Sequence, residues 1–154
     1  MSLSKKILNK LILKNISVST AESCTGGLLA YNFVKNTDSS KVFKGGYITY
    51  SNEMKVKEIK VKKVSLKKYG AVSYQIAEEM LEGLYKNNKT KICISITGIA
   101  GPGGSTQRKP VGLIYIGIRI NNKKIIIKKN FKGTRIQIQK KCVNFILKYL
   151  DKLI

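Results

Sequence analysis

Two periodicities alternate along the first two thirds of this chain, and that alternation limits the fold more than any other feature. Ile7, Leu8, Leu11 and Ile12 recur at helical spacing, so residues 4–15 read as an amphipathic helix. "ISVSTA" at 16–21 reads as a strand, and Gly26–Gly27 opens a helix over "LLAYNFVK". "NTDSS" breaks it, and "GGYITYS" at 45–51 reads as the next strand. Ser51 or Asn52 is a suitable N-cap for the helix "EMKVKEIK", and Ser73 caps "YQIAEEMLEGLYK". "KICISIT" at 91–97 is a short apolar run of the kind that forms a buried strand. "VGLIYIGIRI" and "KKIIIKKNF" then flank Asn121–Asn122 as a hairpin, and the segment after Gly133 closes the chain as a helix. Strand and helix in turn predict a single α/β domain, its sheet covered on both faces and one antiparallel strand added by the hairpin.

Composition narrows the chemistry. The chain of 154 residues contains no histidine. A Ser-His-Asp or Cys-His arrangement is therefore impossible. Cys24, Cys93 and Cys142 are far apart and odd in number, so they suggest neither a disulfide framework nor a zinc site, and no metal is expected. The N-terminal stretch "MSLSKKILNKLILKN" has no continuous apolar region, and no run approaches a membrane span. A cytoplasmic protein with no membrane partner is the expectation. The net charge of +22 comes from 30 Lys and Arg against 8 Asp and Glu. Arg occurs only at Arg108, Arg119 and Arg135, and the lysines are spread along the whole chain. Lys, Ile and Asn are enriched together, the pattern that AT-rich codon bias produces. The charge is thus read as compositional rather than as the footprint of a specific nucleic-acid partner.

The chemistry is expected where three loops leave strand ends, at 22–27, 51–55 and 97–110, because ligands of open α/β sheets collect outside those ends. In "STAESCTGG", Ser23 follows a strand and precedes a helix, the place of a nucleophile elbow, although the GxSxG spelling is absent. Ser23 or Thr25 can equally be a plain helix cap. If Ser23 is a nucleophile, its base must be Lys, Tyr or a carboxylate. Lys55, in the first turn of a capped helix, is the candidate. A helix N-terminus disfavours an ammonium by only ~0.3–1 kcal/mol. Lowering a lysine from ~10.4 to ~7–8 takes about 4 kcal/mol, so desolvation or a neighbouring cation must supply the rest. The third loop, "TGIAGPGGSTQRKPVG", is neither a P-loop nor GxGxxG, but its glycines permit close backbone approach to a ligand.

"TAESCTGG", "GGYITYSNEMK", "YGAVSYQIAEEM" and "ITGIAGPGGSTQRKPVG" together resemble the CinA C-terminal domain family in order and spacing, across nearly the whole chain. That family includes stand-alone nicotinamide mononucleotide deamidases. The resemblance implies a three-layer α/β/α sandwich with a mixed, mostly parallel sheet, without the family's N-terminal domain. It implies hydrolysis of the nucleotide's carboxamide to the acid and ammonia, with no cofactor, by a serine–lysine amidase assisted by a tyrosine. The matching positions are Ser23, Lys55 and Tyr50. Backbone near Thr25, Gly26 and Gly27 or near Gly98 and Gly101 is expected to hold the oxyanion. Gly46, Thr97 and Gly103 complete the expected substrate contacts, with Lys109 or Arg135 helping to hold the phosphate. A homo-oligomer, with a dimer favoured, is expected. Two departures stand out: Ser105, Gln107 and Arg108 interrupt the third motif, and Gln139 occupies the place of a second arginine. The alternatives are a catalytically silent nucleotide-binding module of the same fold and a basic nucleic-acid-binding protein.

Overall fold

A computed structural model describes all 154 residues. The elements in chain order are α1 (Leu3–Leu13), β1 (Val18–Glu22), α2 (Leu28–Val34), β2 (Phe43–Ile48), α3 (Asn52–Ile59), α4 (Lys63–Tyr69), α5 (Tyr74–Asn88), β3 (Ile92–Gly98), β4 (Leu113–Ile120), β5 (Lys123–Asn130) and α6 (Arg135–Leu153). One sheet contains all five strands in the order β2-β1-β3-β4-β5. β1 pairs in parallel with β2 and β3, whereas β3–β4 and β4–β5 are antiparallel. Four strands therefore run one way and only β4 runs against them, which is the mixed, mostly parallel sheet of the expectation.

The pleat divides the strand residues between two cores. Val18, Ile92, Ile94, Ile96, Ile114, Ile116 and Ile118 face α1, α2 and α6 in a cluster of 21 buried residues. Ala21 and Cys93 face the other way, toward Ile59, Ile76, Met80, Leu81 and Leu84, in a cluster of 8. The second face is lined by small and hydroxylated residues. Ser95 Oγ donates to the Ala77 carbonyl at 2.7 Å and Thr97 Oγ1 to the Ala71 carbonyl at 2.8 Å. These bonds satisfy polar side chains that would otherwise be costly to bury, and they pull α5 close to the sheet.

The capping chemistry follows the sequence. Ser51 Oγ accepts from the Met54 amide at 3.1 Å, and Ser73 Oγ from the Ile76 amide at 3.2 Å. Thr134 and Gln137 close a reciprocal capping box at the start of α6. Two details differ from the sequence reading. β2 ends at Ile48 rather than Ser51, because Thr49 leaves the strand: its amide bonds the Glu22 carbonyl at 2.9 Å and its own carbonyl turns inward. The segment Lys63–Tyr69, unassigned from sequence, forms α4 and lays Leu66 against the smaller core.

Candidate active site

The carboxyl ends of β1, β2 and β3 point the same way, so the loops that follow them converge on one cavity of about 260 Å³. Ser23 and Cys24 form one wall, Tyr50, Asn52 and Lys55 a second, and Thr97 to Gly101 with Gly103 and Gly104 a third. Larger hollows exist, such as one of about 480 Å³ between the β4–β5 hairpin and the end of α6. Only in the cavity of about 260 Å³ does a lysine amine lie within hydrogen-bond distance of a serine, threonine or cysteine side chain.

Ser23 continues the pleat of β1 and is held there by its own amide, which bonds the Ile96 carbonyl at 3.0 Å. Lys55 is the fourth residue of α3, and its side chain runs inward to 1% exposure. Its Nζ lies 3.2 Å from Ser23 Oγ, 3.0 Å from the Thr49 carbonyl and 3.3 Å from the Tyr50 carbonyl. No carboxylate pairs with it: Glu22 turns toward α2, and Glu53 makes no bond to the amine. Burial holds the Lys55 amine below the ordinary lysine value. A neutral amine has two N–H donors and one lone pair. With both donors on the two carbonyls, a neutral amine would have its lone pair free for the Ser23 hydroxyl proton.

Cys24 is the neighbour that could replace Ser23. Its side chain belongs to the larger core at 5% exposure. Burial pushes its thiol up to about 12, and the Glu22 carboxylate adds to the effect. A thiol at the start of a helix is often acidic, but that requires a polar, accessible setting that Cys24 lacks.

The remaining expected residues separate into two groups. Thr97, Gly98, Gly101, Gly103 and Arg135 line the cavity with Ser23 and Lys55. The amides of Ala100, Gly101, Gly103 and Gly104 take no acceptor within the protein, which leaves a run of donors along one wall. Arg135, at the start of α6, donates to the Gly101 carbonyl at 2.7 Å and to the Tyr50 hydroxyl at 2.8 Å. Tyr50 therefore serves the site through both ends. Tyr50 is 61% exposed as a residue: its carbonyl holds Lys55, while its phenol accepts from the guanidinium rather than bonding Ser23.

The other group lies outside the cavity. Lys109 Nζ donates to the Tyr69 carbonyl at 2.6 Å and ties the glycine loop to the end of α4. Gly46 serves strand packing: a Cβ there would run into the Thr20 carbonyl and hydroxyl. Thr25 is buried and donates to Glu22 Oε1 at 2.6 Å. Gly26 and Gly27, at φ 57° and 99°, make the turn into α2 and border a shallow depression beside the cavity. Sequence reasoning missed the two carbonyls that orient Lys55, since backbone direction leaves no mark in side-chain identity. Gln139, noted from sequence as standing in the place of a second arginine, donates from Nε2 to the Cys24 carbonyl at 3.0 Å, a partner the sequence did not indicate.

The fold and the cavity define a three-layer α/β/α protein with a serine and a buried, carboxylate-free lysine at the parallel strand ends. The chain belongs to the CinA C-terminal domain family, whose profile matches residues 1–154. It is 48% identical over 151 residues to a competence-damage inducible protein of Clostridium botulinum strain Langeland, covering 98% of this chain and 37% of that protein. It is 46% identical over 149 residues to the protein of the same description from Clostridium perfringens strain SM101, covering 96% of this chain and 36% of that one. The chain thus spans little more than a third of the length of these curated relatives. Among solved structures, the competence/damage inducible protein CihA from Agrobacterium tumefaciens superposes with a TM-score of 0.94 at 34% identity, over 98% of this chain and 93% of that one. A CinA superfamily protein from Escherichia coli gives a TM-score of 0.93 at 31% identity, over 99% of this chain and 88% of that one.

Proposed function

We propose that this domain is a serine–lysine amidase that hydrolyses the carboxamide of nicotinamide mononucleotide to nicotinate mononucleotide and ammonia. The observation that carries the chemistry is the Lys55 amine, buried without a counter-ion and 3.2 Å from Ser23 Oγ. The substrate is suggested by the family resemblance, and a cavity with a guanidinium at its rim and unpaired amides along one wall suits an anionic nucleotide.

In this reading Ser23 Oγ attacks the carboxamide carbon while its proton passes to the Lys55 lone pair. Free amides of the glycine loop receive the oxyanion. The tetrahedral adduct collapses as Lys55 returns the proton to the amide nitrogen, and ammonia leaves. Water then attacks the Ser23 ester, with Lys55 taking its proton and passing it to Ser23 Oγ as the acyl–oxygen bond breaks, and the acid is released. The Arg135–Tyr50 pair meets the phosphate end of the substrate.

The test is ammonia release from nicotinamide mononucleotide in the presence of a chelator, with free nicotinamide as a control. Turnover of the nucleotide alone is the expected result. Tight nucleotide binding with no ammonia would make the domain a binding module instead.

A further inference from the structure

The strand end that presents Ser23 to one face of the sheet buries a carboxylate on the other. Glu22 is 1% exposed, and none of the ion pairs in the protein includes it. Its Oε1 accepts from Thr25 Oγ1 at 2.6 Å and from the Leu29 amide at 3.0 Å, and its Oε2 accepts from the Ala30 amide at 2.9 Å. Those amides belong to the first turn of α2, whose own N-cap, Gly27, has no side chain to offer. Gly26 and Gly27 both adopt positive φ, so the turn between Ser23 and α2 is made where the chain has least intrinsic preference for one geometry. Glu22 supplies from the strand the cap that glycine cannot provide.

We infer that Glu22 is a positioning residue for the nucleophile: clamped between the Thr25 hydroxyl and the amides of α2, its carboxylate fixes the turn that holds Ser23 Oγ against Lys55. The inference rests on the serine–lysine reading. The clamp spans the turn from both sides, since Glu22 precedes Ser23 and its partners follow it. The backbone reinforces it, with the Gly26 amide on the Ser23 carbonyl at 3.0 Å and the Leu28 amide on the Thr25 carbonyl at 2.9 Å. The position requires a carboxylate because three donors converge on it. A glutamine would present N–H groups to at least one of them. Glu22 touches neither Ser23 Oγ nor the cavity, so it acts only through the geometry of the turn.

The experiment measures the reactivity of Ser23 toward a small sulfonyl fluoride, in which the serine oxygen displaces fluoride and its proton passes to Lys55. Wild type should be sulfonylated at Ser23, and Glu22→Gln, folded by circular dichroism at the assay temperature, on the order of 10²-fold more slowly. With nicotinamide mononucleotide, kcat should fall in step while KM holds, and the labelling rate constant separates this from loss of folded protein, which lowers the amount of protein labelled and not the rate constant. Thr25→Val removes one donor and leaves the helix amides, and should give an intermediate slowing. It decides the matter if Glu22→Gln does not fold. A folded Glu22→Gln that is labelled as fast as wild type overturns the inference, as does a wild type inert to the probe. Slowed labelling in a protein whose wild type does not consume the nucleotide supports the positioning role and refutes the proposed substrate.

Discussion

Glu22 and Lys55 are equally buried, each about 1% exposed, yet they are treated in opposite ways. Glu22 is met by a hydroxyl and two helix amides, so both of its carboxyl oxygens have donors. Lys55 is met by two carbonyls and a serine, with no anion in reach, and burial lowers its pKa. A buried polar group whose hydrogen bonds are all met stiffens its surroundings. A buried base left without a counter-ion is drawn toward its neutral form, where it can accept a proton. The two groups stand on opposite faces of one strand end, and Ser23 lies between them.

The largest expected effects come from removing the reactive pair. Ser23→Ala and Lys55→Arg should each lower kcat by on the order of 10⁴-fold or more, as removing one member of a nucleophile–base unit does. The arginine variant is the sharper probe, because a guanidinium keeps the charge and cannot give up its proton. Steady-state ammonia release measures both. A Lys55→Arg enzyme with most of its activity would show that Lys55 acts as a fixed charge, and the contrast with Glu22 would lose its meaning.

Arg135 comes next. Arg135→Gln gives up a guanidinium that bonds the Gly101 carbonyl and the Tyr50 hydroxyl. Charge-assisted hydrogen bonds are worth about 1.5–3 kcal/mol, so KM for the mononucleotide should rise about 10- to 100-fold. Nicotinamide riboside, which lacks the phosphate, should be turned over equally by wild type and variant. An equal loss for both substrates would remove Arg135 from phosphate recognition.

The pH dependence of Lys55 is a smaller effect with a definite sign. Between its lowered native pKa and the unfolded value of ~10.4, the unfolded chain binds more protons than the native one, so stability rises with pH. Below both values the amine must be charged while buried, and the full cost is present. The stability of Lys55→Met relative to wild type should therefore be greatest in acid and decline as pH rises toward ~10.4, as read by denaturant melts across pH. The kcat/KM of wild type should rise with pH through an ionisation below that of free lysine. A pH-independent stability difference would mean that Lys55 is not desolvated.

Much of this was legible in the sequence, for reasons that differ by element. α1, α5 and α6 have long apolar stripes and side-chain caps, and Ser51, Ser73 and Thr134 cap in the structure. α4 was not, because its seven residues include no buried one and no side-chain cap to mark a start. At the site, Ser23 and Lys55 belong to dense local motifs, and the parallel strands bring those motifs together. Lys109 misled because a lysine in a glycine loop resembles an anion ligand, whereas tertiary packing gives it the Tyr69 carbonyl. The orientation of Tyr50, carbonyl inward and phenol at the rim, depends on how Thr49 leaves β2, which side-chain identity does not encode.

The smallest expected effect is at Cys24, and it tests which of two adjacent residues is the nucleophile. Ser23 and Cys24 are neighbours in one turn, but only Ser23 reaches Lys55. Cys24 is packed with the aliphatic side chains of the larger core, where burial holds its proton. At neutral pH its thiolate fraction is negligible, and a thiol held in its protonated form is a poor nucleophile. Cys24→Ala should therefore cost about 1 kcal/mol of stability for the lost packing, the ordinary scale of a single substitution, measured by denaturant melts. Its kcat and KM should stay close to wild type. Thiol-directed alkylation of the native protein should leave ammonia release unchanged, since all three cysteines are buried. A Cys24→Ala enzyme without activity beside a Ser23→Ala enzyme with near-normal turnover would transfer the reaction to the thiol. The reactive group would then lie in the larger core, on the same face as Glu22, and the division of the strand end into a fixing side and a reacting side would fail.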